Sequence, residues 1–474
     1  MSNFTFTTKP RDYQLAVFEQ TKDLPFYAIF WDMGLGKSKL VLDTACYLHG
    51  KHEITTLVVI APKGGYAGWH YEEAPLHLPR NSYKSMLYRS GMGVKASKEM
   101  QDFTRLRTPL LKILCINVEA LSSASGERFI LDFCRHNLDC LVVVDESTCI
   151  KNPKAKRSKV AYRLKGASKY RRILSGTPMD NSPLDMYGQA EFLASGMLGS
   201  NSYLAFERDY AVTIQRQTSS GQRYHQLVGY RDLDRLKEHV AQFASRLTKD
   251  ECLDLPEKVY VTRDVELTPE QSRAYNNLRD IGLALLDDGS LVTQQAAANL
   301  LARLRRIVYG HLVTDTKELM DIKHNRIDVL RDTLEEIGWQ KTIVWCAFRR
   351  DIENIAKAFP DKVVTYYGET KDRQGAVEAF RNDENRRLFV SNEVGAKALN
   401  LASICSHELF YSHWLDTEAR TQAEDRIYRI GQTKTTTVVE MLSRGTVDEK
   451  ICLAHRNKRA LAGDLLSELR ALLR

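Results

Sequence analysis

The chain has 474 residues, more than a single hydrophobic core usually organises, so two domains are expected. With 43% hydrophobic and 27% charged residues it has an ordinary globular composition, and no run approaches the roughly 18 uninterrupted apolar residues of a membrane span. Nine scattered cysteines without a Cys-x-x-Cys pair argue against a disulfide framework and a zinc module, and a net charge of +8 suits a polyanionic partner without requiring one.

The N-terminal residues lack the apolar core of a signal peptide, which predicts a cytoplasmic protein, or a nuclear one in a eukaryote. Continuous apolar runs follow at 57–61, 112–117, 141–145, 172–175, 342–346, 363–367, 387–391 and 407–412. A strand with one wet face alternates, so unbroken runs of this length read as strands buried on both faces. Helical stretches between them predict parallel α/β sheets in two groups, one before residue 180 and one after 340. The middle of the chain is helical in pattern at 232–245, 269–286 and 293–308, which predicts helical insertions from both lobes. The division expected is 1–245, a linker at 246–262, and 263–474, closing on a helical brace at 451–474.

The first motif with chemistry is Trp31-Asp32-Met33-Gly34-Leu35-Gly36-Lys37-Ser38, between apolar residues 27–30 and the helix-like stretch 39–48. A loop placed between strand and helix aims backbone N–H groups at phosphate, and Gly34 and Gly36 let the chain wrap closely. Lys37 would reach the β- and γ-phosphates and Ser38 would hold Mg²⁺. Trp31 stands where the strict phosphate-loop pattern has its first glycine, so the segment alone also reads as a glycine turn. Leu141-Val142-Val143-Val144-Asp145-Glu146 strengthens the nucleotide reading. It is a buried strand ending in two carboxylates, Asp145 suited to Mg²⁺ and Glu146 to polarising the attacking water. Residues 151–172 carry ten Lys or Arg and no Asp or Glu, either a solvated helix face or a nucleic-acid contact.

Asp145-Glu146 followed by Cys149-Ile150-Lys151-Asn152-Pro153-Lys154 resembles the Swi/Snf branch of the superfamily-two helicase-like ATPases, and the resemblance covers nearly the whole chain. It implies two RecA-like lobes, ATP with Mg²⁺, and double-stranded DNA as partner. Arg11-Asp12-Tyr13-Gln14 resembles the adenine-reading segment, with Gln14 on the base edge and Arg11 beside it; Leu35 belongs to the phosphate loop. Ala61-Pro62-Lys63 with Trp69 resembles a motif that contacts the DNA backbone. Ser175-Gly176-Thr177-Pro178-Met179-Asp180-Asn181 is similar to a coupling motif, with Ser175 and Thr177 as its hydroxyls, and Gly395 lies in a further motif of the second lobe. The most specific stretch is Gln422-Ala423-Glu424-Asp425-Arg426-Ile427-Tyr428-Arg429-Ile430-Gly431-Gln432, which leans toward the annealing-helicase and fork-remodeller branch. Gln422, Arg426 and Arg429 are its catalytic candidates. Three residues apart, Arg426 and Arg429 would share one helix face, offering two guanidiniums to the transferring phosphoryl group from the opposite lobe.

Lys63, Lys151, Lys154, Lys156, Arg157 and Lys397 supply charge for phosphate contacts, which suits a motor indifferent to sequence. Trp69 and Trp414 are candidate stacking platforms, though packing is the commoner use of tryptophan. The expectation is an ATP-driven duplex translocase, monomeric, with protein partners for targeting and no membrane. A strand-separating helicase, a repair or restriction motor subunit, and a non-catalytic DNA-binding scaffold remain alternatives.

Overall fold

Each apolar run of the first half becomes a strand of one parallel sheet in the computed structural model. The model describes residues 4–179, 182–217, 223–287, 293–313, 319–396, 401, 404–429 and 431–457. The chain divides into two units, Met1–Leu253 and Asp254–Arg474.

The first unit carries β1 (Phe26–Trp31), β2 (Thr56–Ala61), β3 (Tyr83–Leu87), β4 (Leu111–Asn117), β5 (Cys140–Val144) and β6 (Tyr170–Leu174). A hairpin of β7 (Ala211–Gln217) and β8 (Arg223–Tyr230) follows, then β9 (Ala244–Leu247). The sheet order is β3-β4-β2-β5-β6-β1-β9, and its pairings are parallel. The unbroken apolar runs have a direct cause. Alternate residues of β2 and β5 enter different cores: Val58, Ile60, Val142 and Val144 on one face, Leu57, Val59, Leu141 and Val143 on the other.

The second unit repeats the plan with β10 (Lys258–Asp264), the short pair β11 (His311–Val313) and β12 (Leu319–Asp321), then β13 (Thr342–Trp345), β14 (Val363–Tyr366), β15 (Leu388–Ser391), β16 (His407–Phe410) and β17 (Thr436–Leu442). Its six-stranded parallel sheet runs β10-β17-β16-β13-β15-β14. Ile343, Trp345 and Phe389 fill one face, Val344, Leu388, Val390 and Leu409 the other. The helices Pro269–Asp287 and Gln294–Val308 pack together around Tyr275, Leu301 and Leu304.

Two expectations change. The segment 246–262 is largely built into the sheets. Arg246 and Leu247 complete β9 beside β1, Thr248 and Glu251 cap the turn of helix Lys249–Cys252, and residues from 258 onward pair with β17. These strands were hard to see because they lie at sheet edges and carry Arg, Lys and Thr among their apolar residues. The insertion of the first unit is also not purely helical: an antiparallel hairpin stands between the helices Tyr203–Tyr210 and Leu233–Ala241. At the C-terminal end, Val447–Arg456 is helical; residues 458–474 of the expected brace lie outside the described residues. No helix among the described residues is long and apolar enough to cross a membrane.

Candidate functional site

β1 delivers the phosphate loop at its carboxyl end, and helix Lys37–Gly50 leaves it. Gly34 and Gly36 both have left-handed backbone, with φ 81° and 80°. A Cβ at Gly36 would also press on the Gln14 amide, which would have to shift aside. Gln14 Nε2 and Tyr13 Oη both donate to the Leu35 carbonyl, at 2.9 and 3.1 Å, and Gln14 Oε1 accepts from Arg11 N at 3.0 Å. Burial pushes the Tyr13 phenol up to about 12, keeping it a donor at neutral pH. Gln14, expected on a base edge, therefore braces the loop and is itself buried, while Leu35 is a core residue of that loop. Lys37 Nζ donates to the Trp31 carbonyl at 2.7 Å and to the Asp32 carbonyl at 3.3 Å, which points its ammonium across the loop.

β6 pairs with β1 and β5 pairs with β6, all in parallel, so the carboxyl ends of the three strands share the same rim. Asp145 follows β5 and is held on both oxygens, by Trp69 Nε1 at 2.8 Å and Glu146 N at 3.1 Å. Burial raises its carboxyl above the usual range, against the opposing pull of the Trp69 hydrogen bond and of the Lys37 ammonium. Glu146 adopts left-handed backbone at φ 48°, a strained setting for a non-glycine residue and one that recurs at functional sites. After β6, Ser175 Oγ accepts from Thr177 N at 3.1 Å. Asp180 and Asn181 lie outside the described residues.

A residue absent from the sequence reading joins these segments. Ser147 Oγ donates to Gln189 Oε1 at 2.6 Å, and Gln189 Nε2 donates to the Pro178 carbonyl at 2.6 Å. Gln189 is fully buried in helix Asp185–Leu193 and so connects the Asp145-Glu146-Ser147 turn to the Ser175–Pro178 turn. Only its buried polar character amid Met186, Tyr187, Ala190 and Phe192 could have signalled it.

The residues suit ATP and Mg²⁺. The loop turns on the left-handed Gly34 and Gly36, and Lys37 and Ser38 are the first two residues of the helix that follows it. Two protein ligands are enough for an ion that takes its remaining oxygens from phosphates and water.

The charged surface corrects several expectations. Trp69 is 2% exposed and its indole is committed to Asp145; Trp414 is 2% exposed and donates to the Cys346 carbonyl at 2.9 Å. Both pack inside, so neither is a stacking platform. Of the ten cations in 151–172, Arg171 and Arg172 are buried on backbone carbonyls. Lys151 pairs with Asp185 at 3.0 Å and Lys156 with Glu127 at 3.2 Å, and Arg163, Lys165 and Lys169 also meet carboxylates. Lys63 and Lys154 are exposed, Arg157 is half-buried, and Lys397 lies outside the described residues.

In the second unit, Asp416 caps helix Thr417–Glu424, which ends before Arg426. Arg426 and Arg429 therefore sit in the irregular turns beyond it and do not share a regular helix face; both are half-buried. Arg426 Nε reaches the Gln422 carbonyl at 3.2 Å, and buried Gln422 donates to Glu418 at 3.2 Å. Gly395 is buried in the short helix Glu393–Ala396.

The guanidinium that sequence reading passed over is Arg420. It stacks on Phe410 at 3.2 Å and bonds Glu424 at 2.7 Å and Glu440 at 2.9 Å. Lys258 also pairs with Glu424. Burial opposes ionisation of Glu424, yet Arg420 and Lys258 together hold it down at about 2. Glu408 beside it is pushed up to about 7 by burial, with Glu424 adding to the rise. Burial brings His413 down to about 4; neutral, its Nε2–H donates to the Met441 carbonyl at 3.1 Å, leaving Nδ1 to accept from Arg420 at 3.2 Å.

The chain matches the SNF2-related domain over residues 28–311 and the helicase conserved C-terminal domain over 325–431. It is 26% identical over 344 residues to an ATP-dependent helicase of Mycoplasma pneumoniae, covering 69% of this chain and 30% of that one. It is 27% identical over 463 residues to YwqA of Bacillus subtilis, named as a candidate ATP-dependent helicase/translocase, covering 92% and 46%. The chain thus spans less than half the length of either relative. It is 23% identical to a solved SWI2/SNF2 ATPase core of Sulfolobus solfataricus in complex with dsDNA, covering 100% of this chain and 98% of that one at a TM-score of 0.43.

Proposed function

The chain belongs to the SNF2-related domain family, and on that premise we propose that it hydrolyses ATP to move along double-stranded DNA without reading sequence. The observation that carries this is the convergence of Lys37, Asp145, Glu146 and the Ser175–Thr177 turn at the carboxyl ends of β1, β5 and β6. Lys37 binds the terminal phosphates of ATP, and Glu146 orients and deprotonates the attacking water. A bound Mg²⁺, held by Ser38 and Asp145, would neutralise charge on the phosphate oxygens. Ser147, Gln189 and Pro178 carry a change at Asp145-Glu146 to the Ser175 turn. We assign Arg426 and Arg429 to the transferring phosphoryl group; Arg429→Ala should keep ATP affinity and lose hydrolysis.

Lys63, Lys154 and Arg157 remain the cations we assign to phosphates of DNA. We place the protein in the cytoplasm, or in the nucleus of a eukaryote, where such a duplex substrate is found. We take the protein as a monomer targeted by protein partners. Strand separation is the second reading, because the exposed β7–β8 hairpin offers a protruding element. The test is ATP turnover with duplex, single-stranded, forked and RNA substrates, beside triplex displacement. Duplex should stimulate most and the triplex should be displaced. Stimulation by RNA alone, or none by any nucleic acid, would sink the proposal; unwinding of a fork without triplex displacement would favour strand separation.

A further inference from the structure

β7 and β8 leave the first unit as a two-stranded ribbon with neither face covered. Residues 212–217, Arg223 and residues 225–228 are all exposed. A two-stranded hairpin is marginal in water unless something packs on it, so an uncovered ribbon of this length is an element shaped for a partner.

Composition indicates which partner. Residues 211–231 contain no Asp or Glu, but include Arg216, Arg223, His225 and Arg231 with Gln215, Gln217 and Gln226. The exposed aliphatic residues Val212, Ile214, Leu227 and Val228 lie toward the root, and Arg216, Arg223 and His225 toward the tip. The Arg231 guanidinium is already committed to the carbonyls of Arg208 and Asp209, so it anchors the root instead. That root is firm: Tyr210 and Ala211 belong to the first core, and Tyr230 Oη donates to Ser182 Oγ at 2.9 Å, just beyond the Ser175–Pro178 turn.

We propose that the β7–β8 ribbon is a duplex-contacting arm, lying in the major groove with Arg216, Arg223 and His225 on phosphates. The inference rests on the DNA reading above and adds a contact that none of the recognised motifs supplies. Strands of this length reach about 25 Å, and the major groove admits a two-stranded ribbon. Duplex DNA presents one charge about every 1.7 Å of axis, so such an arm meets phosphates in any register. That suits a contact that must move; an acidic protein surface would need one fixed register.

The test uses the full chain, a fluorescent duplex and a salt titration, comparing the parent with R216A/R223A/H225A and with the charge reversal R216E/R223E. All substituted side chains are exposed, and thermal melts check that the fold is intact. Duplex affinity should fall roughly tenfold in the alanine variant, further in the reversal, and the slope of log Kd against log salt should shrink by about 2. A parent that neither binds duplex nor is stimulated by it sinks the function reading and this arm together. A parent that binds normally, with both variants matching its Kd and slope, overturns the arm alone and leaves a protein as the ribbon's occupant.

Discussion

The two units bury positive charge in different ways. In the first, Lys39 pairs with Asp43, but the buried Arg172 and Lys112 are solvated by neutral oxygens: Arg172 by the carbonyls of Thr21, Leu24 and Arg171, Lys112 by those of Thr104 and Leu106 and by the Asn137 side chain. Burial brings Lys112 down to about 8 and Arg172 to about 10. In the second, Arg326 and Arg420 meet carboxylates. Arg326 bonds Asp448 at 2.6 Å, where Tyr309 also donates, and Arg420 joins Glu424 and Glu440. Carbonyl solvation does not titrate, whereas a buried ion pair does and fails badly when one partner is removed.

Substitutions can break that contrast. The largest effect is expected from Lys37→Ala, which should lower ATP turnover by about a hundredfold or more while leaving the unfolding transition in place; wild-type turnover would refute the phosphate loop. Arg420→Ala leaves Glu424 and Glu440 short of a buried cation and should cost about 3–5 kcal/mol in chemical denaturation. Arg172→Met in the first unit strands only carbonyls and should cost about 1–3 kcal/mol. Equal costs would erase the difference between the units.

Acid should separate them too. Glu424 and Asp448 are held below their usual values, so their stabilisation is complete above the unfolded carboxylate range and is lost as pH falls toward about 2. Asp43 and Asp145 in the first unit are shifted up by burial and do not contribute such a loss. Acid titration of stability should show the second unit failing first, and Glu424→Gln should flatten that part of the curve.

Smaller effects probe the coupling path. Gln189→Ala should reduce kcat about tenfold with little change in KM for ATP, about the worth of one buried hydrogen bond. A rise in KM alone would make Gln189 part of nucleotide binding. The smallest is Tyr230→Phe, which removes the bond to Ser182 and should lower duplex-stimulated turnover about twofold, below 1 kcal/mol. An altered duplex Kd in its place would move Tyr230 from positioning to binding.

The eight sheet strands read from apolar runs, and the glycine–lysine–serine loop, were legible because their causes are local. A strand buried on both faces must be apolar throughout, and a phosphate loop needs its glycines and lysine contiguous. β7 and β8 were illegible because neither face is buried, so no hydrophobic period marks them. Whether Trp69 packs or forms a surface platform stayed open in the sequence because its partner, Asp145, lies 76 residues away. The basic run looked uniform along the chain, but β6 carries Arg171 and Arg172 inward.

Sequence by itself determined the parallel sheets, the order of the motifs and the residue types at the phosphate loop and the strand-end carboxylates. Tertiary structure alone decided that Gln189 joins two turns, that Arg420 sits at the centre of a buried charge network, and that few cations of the basic run stay unpaired. The physical reason is range: backbone periodicity and loop chemistry are written in neighbouring residues, whereas the partner of a buried polar group is chosen by whichever distant segment the packed core brings within hydrogen-bond reach.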